Sequence, residues 1–151
     1  MSNTKVALIL AAGNGTRLAA LSGELPKPLV RLHDRPLLEY VMRGAHEAGI
    51  DRFVIVLGYR GQMIQQWYET RPLEGVHVTW VENPDYYKNK WCVVLRAKPV
   101  IHGPFLLMMA DHMFDPANAL AYCVSRWEWN RSSSRWIATL IACSTWMTQL
   151  R

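Results

Sequence analysis

The sequence lacks any apolar run close to the roughly 20 residues that a membrane-spanning helix requires. Its longest such runs are residues 6–12 and 105–110. Cysteine is scarce, and the three present (Cys92, Cys123 and Cys143) show no paired spacing. This argues against a disulfide framework or a zinc site and indicates a reducing compartment. Lys5 precedes only a short apolar segment and a glycine-containing turn, which does not match a signal peptide. We therefore predict a cytoplasmic location and no membrane span.

Charge is also limited in amount and uneven in distribution. Only 19% of the 151 residues are charged and 50% are hydrophobic, which excludes a disordered or collagen-like chain. The net charge of +5 comes from 17 Lys plus Arg against 12 Asp plus Glu. Residues 116–151 contain four arginines and a single acid, Glu128, so they contribute +3 of that excess. Most of the excess charge therefore lies in the last quarter of the chain, and the remaining +2 is unremarkable. We predict no nucleic-acid partner.

Strand and helix patterns alternate along the first 116 residues. Predicted strands cover residues 5–12, 52–57, 76–81 and 104–110; predicted helices run from Pro36 to a stop at Gly49, over 62–70 and over 93–100. Alternation of this kind predicts an α/β fold with a mostly parallel sheet.

The first strand leads into the segment Leu10-Ala11-Ala12-Gly13-Asn14-Gly15-Thr16-Arg17-Leu18. Small residues and glycines let the backbone approach a ligand closely, and successive N–H groups form an anion-binding concavity. Thr16 adds a hydroxyl donor and Arg17 a permanent cation. The segment predicts a phosphate-binding loop. It is neither a dinucleotide fingerprint, which needs glycine where Leu18 stands, nor a P-loop, which needs Gly-Lys-Ser/Thr.

Two further charged residues are candidates for the same site. Lys27 lies between Pro26 and Pro28, which predicts a stiff, non-helical backbone that aims the ammonium group. Asp111 follows the apolar strand 105–110, at the edge where ligands bind in open α/β sheets. Its carboxylate is the hard oxygen ligand that Mg²⁺ prefers, although an aspartate here also suits a capping role. His112 is a candidate for orienting Asp111 or contacting substrate.

Together, the motifs L-A-A-G-x-G-T-R-L and P-K-P-L resemble the sugar nucleotidyltransferase superfamily of pyrophosphorylase-like NTP transferases, over residues 5–116. The resemblance implies a Rossmann-like, mostly parallel sheet with flanking helices, of the nucleotide-diphospho-sugar transferase type and incomplete at the C-terminus. It assigns the catalytic roles to Arg17 and Lys27 on the phosphates, and Mg²⁺ to Asp111. The implied nucleotide-binding residues are Leu10, Ala11, Ala12, Gly13, Gly15, Thr16, Arg17, Lys27, Glu82 and Asn89.

A narrower resemblance concerns the acceptor. The segments G-P-F-L-L-M-M-A-D-H and Glu82-Asn83-Pro84 resemble the inositol-1-phosphate cytidylyltransferases. This implies CTP and a phosphorylated small molecule as substrates. A sugar-1-phosphate uridylyl- or thymidylyltransferase and an inactive nucleotide-binding fragment remain alternatives, and a longer gene product can carry a fused membrane transferase domain.

The chain divides at residue 116 into a nucleotidyltransferase N-terminal part, 1–116, and an atypical tail, 117–151. The tail holds four of the seven tryptophans, no glycine, and no persistent helical or strand period. The codons of Trp146-Met147-Thr148, read one base earlier, encode Asp-Asp. Permitted codons for Lys90-Trp91-Cys92-Val93, read one base later, give Asn-Gly-Val and the start of Ser, as in the resembling family's Asn-Gly-Val-Ser. We hypothesise that the tail is out of frame from near residues 117–125. Resequencing the source DNA tests this, and an unbroken frame would contradict it.

Overall fold

The computed structural model describes residues 5–13, 25–86, 92–103, 105–113, 126–130 and 135–139. Eight strands and three α-helices lie in these ranges. In chain order they are β1 (Val6–Ala11), β2 (Arg31–Leu32), β3 (Arg35–Pro36), α1 (Leu37–Glu47), β4 (Arg52–Leu57), α2 (Gly61–Thr70), β5 (His77–Glu82), α3 (Cys92–Arg96), β6 (Phe105–Met109), β7 (Arg126–Asn130) and β8 (Arg135–Thr139). A single 3₁₀ turn, Lys27–Leu29, precedes β2.

Six strands form one sheet in the order β5-β4-β1-β6-β7-β8, and β2 pairs with β3 in a separate hairpin. The first four strands of the large sheet are parallel. Ile9 of β1 aligns with Ile55 on one side and with Met108 on the other. This arrangement confirms the predicted α/β class and the mostly parallel sheet with flanking helices.

The apolar run of β1 is explained by burial on both faces of the sheet. Ala7, Leu8 and Ile9 have no exposed surface. One face packs with α1 and α2 through residues such as Met42 and Ile64, and the opposite face packs with Val93 of α3. A continuous rather than alternating hydrophobic pattern is typical of such central parallel strands.

The end of helix α1 has a local cause. Helix α1 buries Leu38, Val41 and Ala45, which recur at helical spacing. The helix ends at Glu47, and Gly49 follows with φ of 93°, a left-handed conformation that glycine adopts without strain. The predicted stop at Gly49 is therefore confirmed. The predicted helix over 93–100 is shorter than expected, because residues 97–100 form turns.

The tail differs from the sequence expectation in one respect. No strand period was evident after residue 117, yet β7 pairs antiparallel with β6, and β8 pairs antiparallel with β7. Backbone N–H and C=O groups make these ladders, so strand pairing does not require an alternating side-chain pattern. The free edge of β6 supplies the first row of partners.

Within the described residues, we find no helix with both the length and the apolar character needed to cross a bilayer.

Candidate nucleotide-binding site

The parallel strands deliver the candidate site residues to one edge of the sheet. Ala12 follows β1, Gly58 follows β4, and Asp111 lies two residues beyond the end of β6. The Ala110 N–H donates to the Leu10 carbonyl oxygen at 3.2 Å, which ties the end of β6 to β1. Ligands bind beyond the carboxyl ends of strands in open α/β sheets, so this edge is the candidate site.

Lys27 and Asp111 form a direct ion pair at this edge, although 84 positions separate them in the chain. The Lys27 Nζ donates to the Asp111 Oδ2. The lysine side chain is 34% exposed and the aspartate side chain 23% exposed. A part-exposed pair of this kind remains accessible to an incoming ligand. The structure thus brings together the two charged residues that the sequence nominated separately.

The backbone of Lys27 is fixed by its neighbours. Leu29 and Pro28 are buried, and the Leu29 N–H donates to the Pro26 carbonyl oxygen at 2.8 Å. This backbone is one 3₁₀ turn, so the predicted non-helical conformation is wrong. Proline is tolerated at the start of a helical turn because its missing N–H has no partner there. The expected stiffness still follows from the two prolines and from the burial of Leu29.

The pKa of Asp111 lies below its ordinary value. Partial burial by itself raises the pKa of this carboxyl, but the hydrogen bond and positive charge of Lys27 outweigh it, and His112 adds a smaller effect of the same sign. The carboxylate is therefore ionised at neutral pH. His112 is itself exposed, and its backbone N–H donates to the Met109 carbonyl oxygen at 3.3 Å.

The described part of the predicted phosphate-binding loop runs from Leu10 to Gly13. Ala11 and Ala12 are buried, whereas Gly13 is exposed. A Cβ added at Gly13 would meet no atom of the described residues within 4 Å. The described part of the chain therefore gives no packing reason for glycine here, which is compatible with a role in binding a ligand.

Gly58 is a residue that the sequence reasoning missed. A Cβ added there would lie 2.7 Å from the Ala12 carbonyl oxygen and 2.7 Å from the Tyr86 Cβ. The end of β4 therefore packs directly against the backbone of the loop that follows β1. A glycine directly after the apolar β4 run was the available sequence signal, because glycine at such a position often marks close approach of two backbones.

Glu82 and Asn83 occupy the same edge at the end of β5. Glu82 is exposed and aligns with Leu57 of β4. Strand β4 therefore separates it from the loop that follows β1 and begins at Ala12, called the β1 loop below. Asn83 is 2% exposed, and its backbone N–H donates to the Leu57 carbonyl oxygen at 2.8 Å. Within the described part of the chain, neither polar atom of its side chain has a hydrogen-bond partner. Glu82 thus lies apart from Lys27 and Asp111.

Four predicted site residues lie outside the described residues: Gly15, Thr16, Arg17 and Asn89. Among the described residues, no group of three or more His, Cys, Asp or Glu side chains could hold a metal ion. A lone carboxylate still suits Mg²⁺, which keeps several waters and is commonly held by one or two carboxylates together with substrate phosphates.

Comparison with known protein families shows the family to which the chain belongs. A model of the MobA-like NTP transferase domain matches residues 7–145, a range that contains the first loop, Lys27 and Asp111. The chain belongs to this family. Its members are nucleotidyltransferases, which confirms the class of enzyme that the motifs predicted. The matched range continues past residue 116, where the resemblance noted from the motifs stops.

Individual relatives of this NTP transferase domain have names that describe different transferases. The chain is 31% identical to a UTP–glucose-1-phosphate uridylyltransferase of Haloferax volcanii over 72% of its own length and 44% of the relative. It is 36% identical to a bifunctional IPC transferase and DIPP synthase of Rubrobacter xylanophilus over 73% of its length and 24% of the relative. The chain thus spans less than half of either relative.

Among solved structures, the inositol-1-phosphate CTP transferase of T. maritima superimposes with a TM-score of 0.68 at 27% identity. The alignment covers 78% of this chain and 48% of that one. This similarity confirms the Rossmann-like nucleotidyltransferase fold that the resemblance implied.

Proposed function

We propose that this NTP transferase domain transfers a cytidylyl group from CTP to a phosphate monoester, such as inositol 1-phosphate, and releases pyrophosphate. The observation that carries the proposal is the Lys27–Asp111 pair at the sheet edge where strand β1 ends. A cation and an ionised carboxylate beside a loop of small residues match the needs of a triphosphate and its metal. The name of the T. maritima protein, an inositol-1-phosphate CTP transferase, supports CTP and inositol 1-phosphate as substrates.

The proposed roles follow from charge and position. The backbone N–H groups of the β1 loop, together with Gly15 and Thr16, bind the triphosphate. Lys27 and Arg17 neutralise charge on its phosphates. The proposal assigns Glu82 and Asn89 to binding of the nucleoside. For Glu82 this agrees with its place at the end of β5, apart from Lys27 and Asp111.

The chemistry needs little from the protein beyond placement and charge. A phosphate oxygen of the acceptor forms a bond to the α-phosphorus, and the bond from that phosphorus to the oxygen bridging to the β-phosphate breaks. Pyrophosphate leaves with the electron pair. No general base is required, because the attacking oxygen is already an anion. Positioning and electrostatic stabilisation therefore supply the rate enhancement.

Asp111 is the residue that would hold Mg²⁺. When bound, the ion neutralises charge on the phosphates and on the leaving pyrophosphate. The protein's own contribution is an ionised carboxylate, kept so by Lys27. A cytoplasmic location completes the proposal, in agreement with three cysteines that show no paired spacing.

One alternative is supported by a specific observation. The similarity to a uridylyltransferase of H. volcanii supports transfer from UTP to a sugar 1-phosphate. A domain that binds nucleotide without turnover is the other alternative.

Pyrophosphate release separates these proposals. The protein is assayed with Mg²⁺ and each of CTP, UTP, dTTP, ATP and GTP, with inositol 1-phosphate or glucose 1-phosphate as acceptor. We expect the largest rate with CTP and inositol 1-phosphate. A preference for UTP or dTTP with glucose 1-phosphate would contradict the cytidylyl assignment. Calorimetric binding of Mg·CTP without release from any pair would identify a nucleotide-binding fragment.

A further inference from the structure

We propose that Lys27 is an internal counterion that occupies Asp111 until nucleotide arrives, so that divalent metal enters the site together with the triphosphate rather than before it. The inference rests on the proposed function for its ligands. It concerns the order in which they bind, and it assigns Lys27 a second role: it positions and blocks the carboxylate in the free protein.

The ion pair itself is the first observation. Lys27 Nζ bonds the Oδ2 of the carboxylate that a metal would need. An ammonium group and a divalent cation compete for the same oxygens, because both are attracted by the same negative charge. Metal binding at Oδ2 must break this hydrogen bond, and metal binding at Oδ1 brings the ion next to the ammonium charge, which repels it. The ammonium group therefore opposes metal binding to the free protein in either case.

The rest of the described site offers the metal little compensation. Asp111 is not part of any cluster of three or more His, Cys, Asp or Glu side chains in the described ranges. A single carboxylate that already has a counterion is a weak site for Mg²⁺, which dehydrates reluctantly. Phosphate oxygens are the additional ligands that make the exchange favourable.

The side chain of Lys27 is suited to changing partners. Its backbone is held by the buried Pro28 and Leu29, while its own side chain is one-third exposed. A flexible four-carbon stem ending in a point charge can turn from one anion to another without movement of the backbone. On arrival of Mg·NTP, the ammonium group passes from the carboxylate to a phosphate, and the carboxylate passes to the metal. Each charge keeps a partner of opposite sign throughout.

Metal binding in the absence of nucleotide tests the inference. Mn²⁺ is used as the probe, and free Mn²⁺ is measured by electron paramagnetic resonance during titration of the wild-type protein and of Lys27→Met, Lys27→Arg and Lys5→Met. We expect Lys27→Met to bind Mn²⁺ about tenfold more tightly than the wild type, since loss of a charge-assisted hydrogen bond frees the carboxylate. Lys27→Arg retains a cation and should stay close to the wild type. Lys5 is exposed beside the start of β1, at the opposite edge of the sheet, so Lys5→Met should also have no effect.

The same proteins are then titrated with CTP in the presence of Mn²⁺. Lys27→Met should bind this complex more weakly than the wild type, so one substitution changes the two affinities in opposite directions. Mn²⁺ affinity of folded Lys27→Met equal to or below that of the wild type would overturn the inference. Circular dichroism establishes that each variant is folded.

The outcome is separable from that of the proposed function. Tighter Mn²⁺ binding by Lys27→Met without pyrophosphate release from any substrate pair would support the counterion role and contradict cytidylyl transfer. Release from CTP and inositol 1-phosphate with unchanged Mn²⁺ affinity would support the transferase and contradict the counterion role.

Discussion

Replacing Lys27 with alanine should lower the rate of pyrophosphate release by about 10²- to 10³-fold, the loss seen when one preorganised charge-stabilising donor is removed from an active site. In the described part of the site, Lys27 provides a positive charge that forms an ion pair with Asp111. Negative charge builds on the leaving pyrophosphate as its bond to the α-phosphorus breaks, and alanine offers that charge nothing. Steady-state release from Mg·CTP and inositol 1-phosphate measures the effect.

Matched variants show whether the loss is local. Lys5→Ala removes a lysine from the opposite edge of the sheet and should leave the rate within about twofold of the wild type, because surface charges a Debye length or more away are largely screened. The free energy of unfolding of Lys27→Ala should also lie within about 1 kcal/mol of the wild-type value, since part-exposed ion pairs contribute little to stability. An unchanged rate in a folded Lys27→Ala protein would remove Lys27 from the site.

Replacing Gly58 with alanine should damage both stability and nucleotide binding. The new Cβ would lie 2.7 Å from the Ala12 carbonyl oxygen and 2.8 Å from the Ala12 Cα. Backbone atoms cannot rotate away as a side chain does, so the β1 loop must shift. Overpacking of this kind lowers the free energy of unfolding by about 1–3 kcal/mol. A shift of about 1 Å in the loop that follows β1 should also weaken nucleotide binding, since a misplacement of that size in an active site costs about a hundredfold in rate.

Chemical denaturation and calorimetric titration with Mg·CTP measure the two effects of Gly58→Ala. Gly103→Ala is the matched control, because a Cβ at Gly103 would meet no atom of the described residues within 4 Å. It should change the free energy of unfolding by less than about 0.5 kcal/mol. Wild-type CTP affinity in the Gly58→Ala protein would show that the contact with Ala12 does not position the loop.

The elements of the first 116 residues could be predicted well because their patterns have strong local causes. Strand β4 was predicted with its observed bounds, since an apolar β-prone run buried between β1 and β5 leaves little ambiguity. Helix α1 was predicted from its apolar spacing and from Gly49. The 3₁₀ turn at Lys27 was missed, because two prolines disfavour a longer helix without excluding one short turn.

Tail strands β7 and β8 could not be predicted from local pattern. They pair with the open edge of β6 and with each other through backbone groups, which every sequence provides. The frame hypothesis for residues 117–151 concerns the origin of that sequence, and it stays a prediction.

The sequence by itself determined the class of the molecule: the small-residue loop, the proline-flanked lysine and the aspartate after an apolar strand identified a nucleotidyltransferase and nominated its charged groups. Tertiary structure decided how those groups relate. That Lys27 bonds Asp111 across 84 positions, and that Gly58 must be glycine to admit the Ala12 backbone, depend on which strands are neighbours in the sheet. A motif depends on residue types that are neighbours in the sequence and can therefore be recognised there. Ion pairs and close backbone contacts depend on which strands pack side by side in the folded sheet.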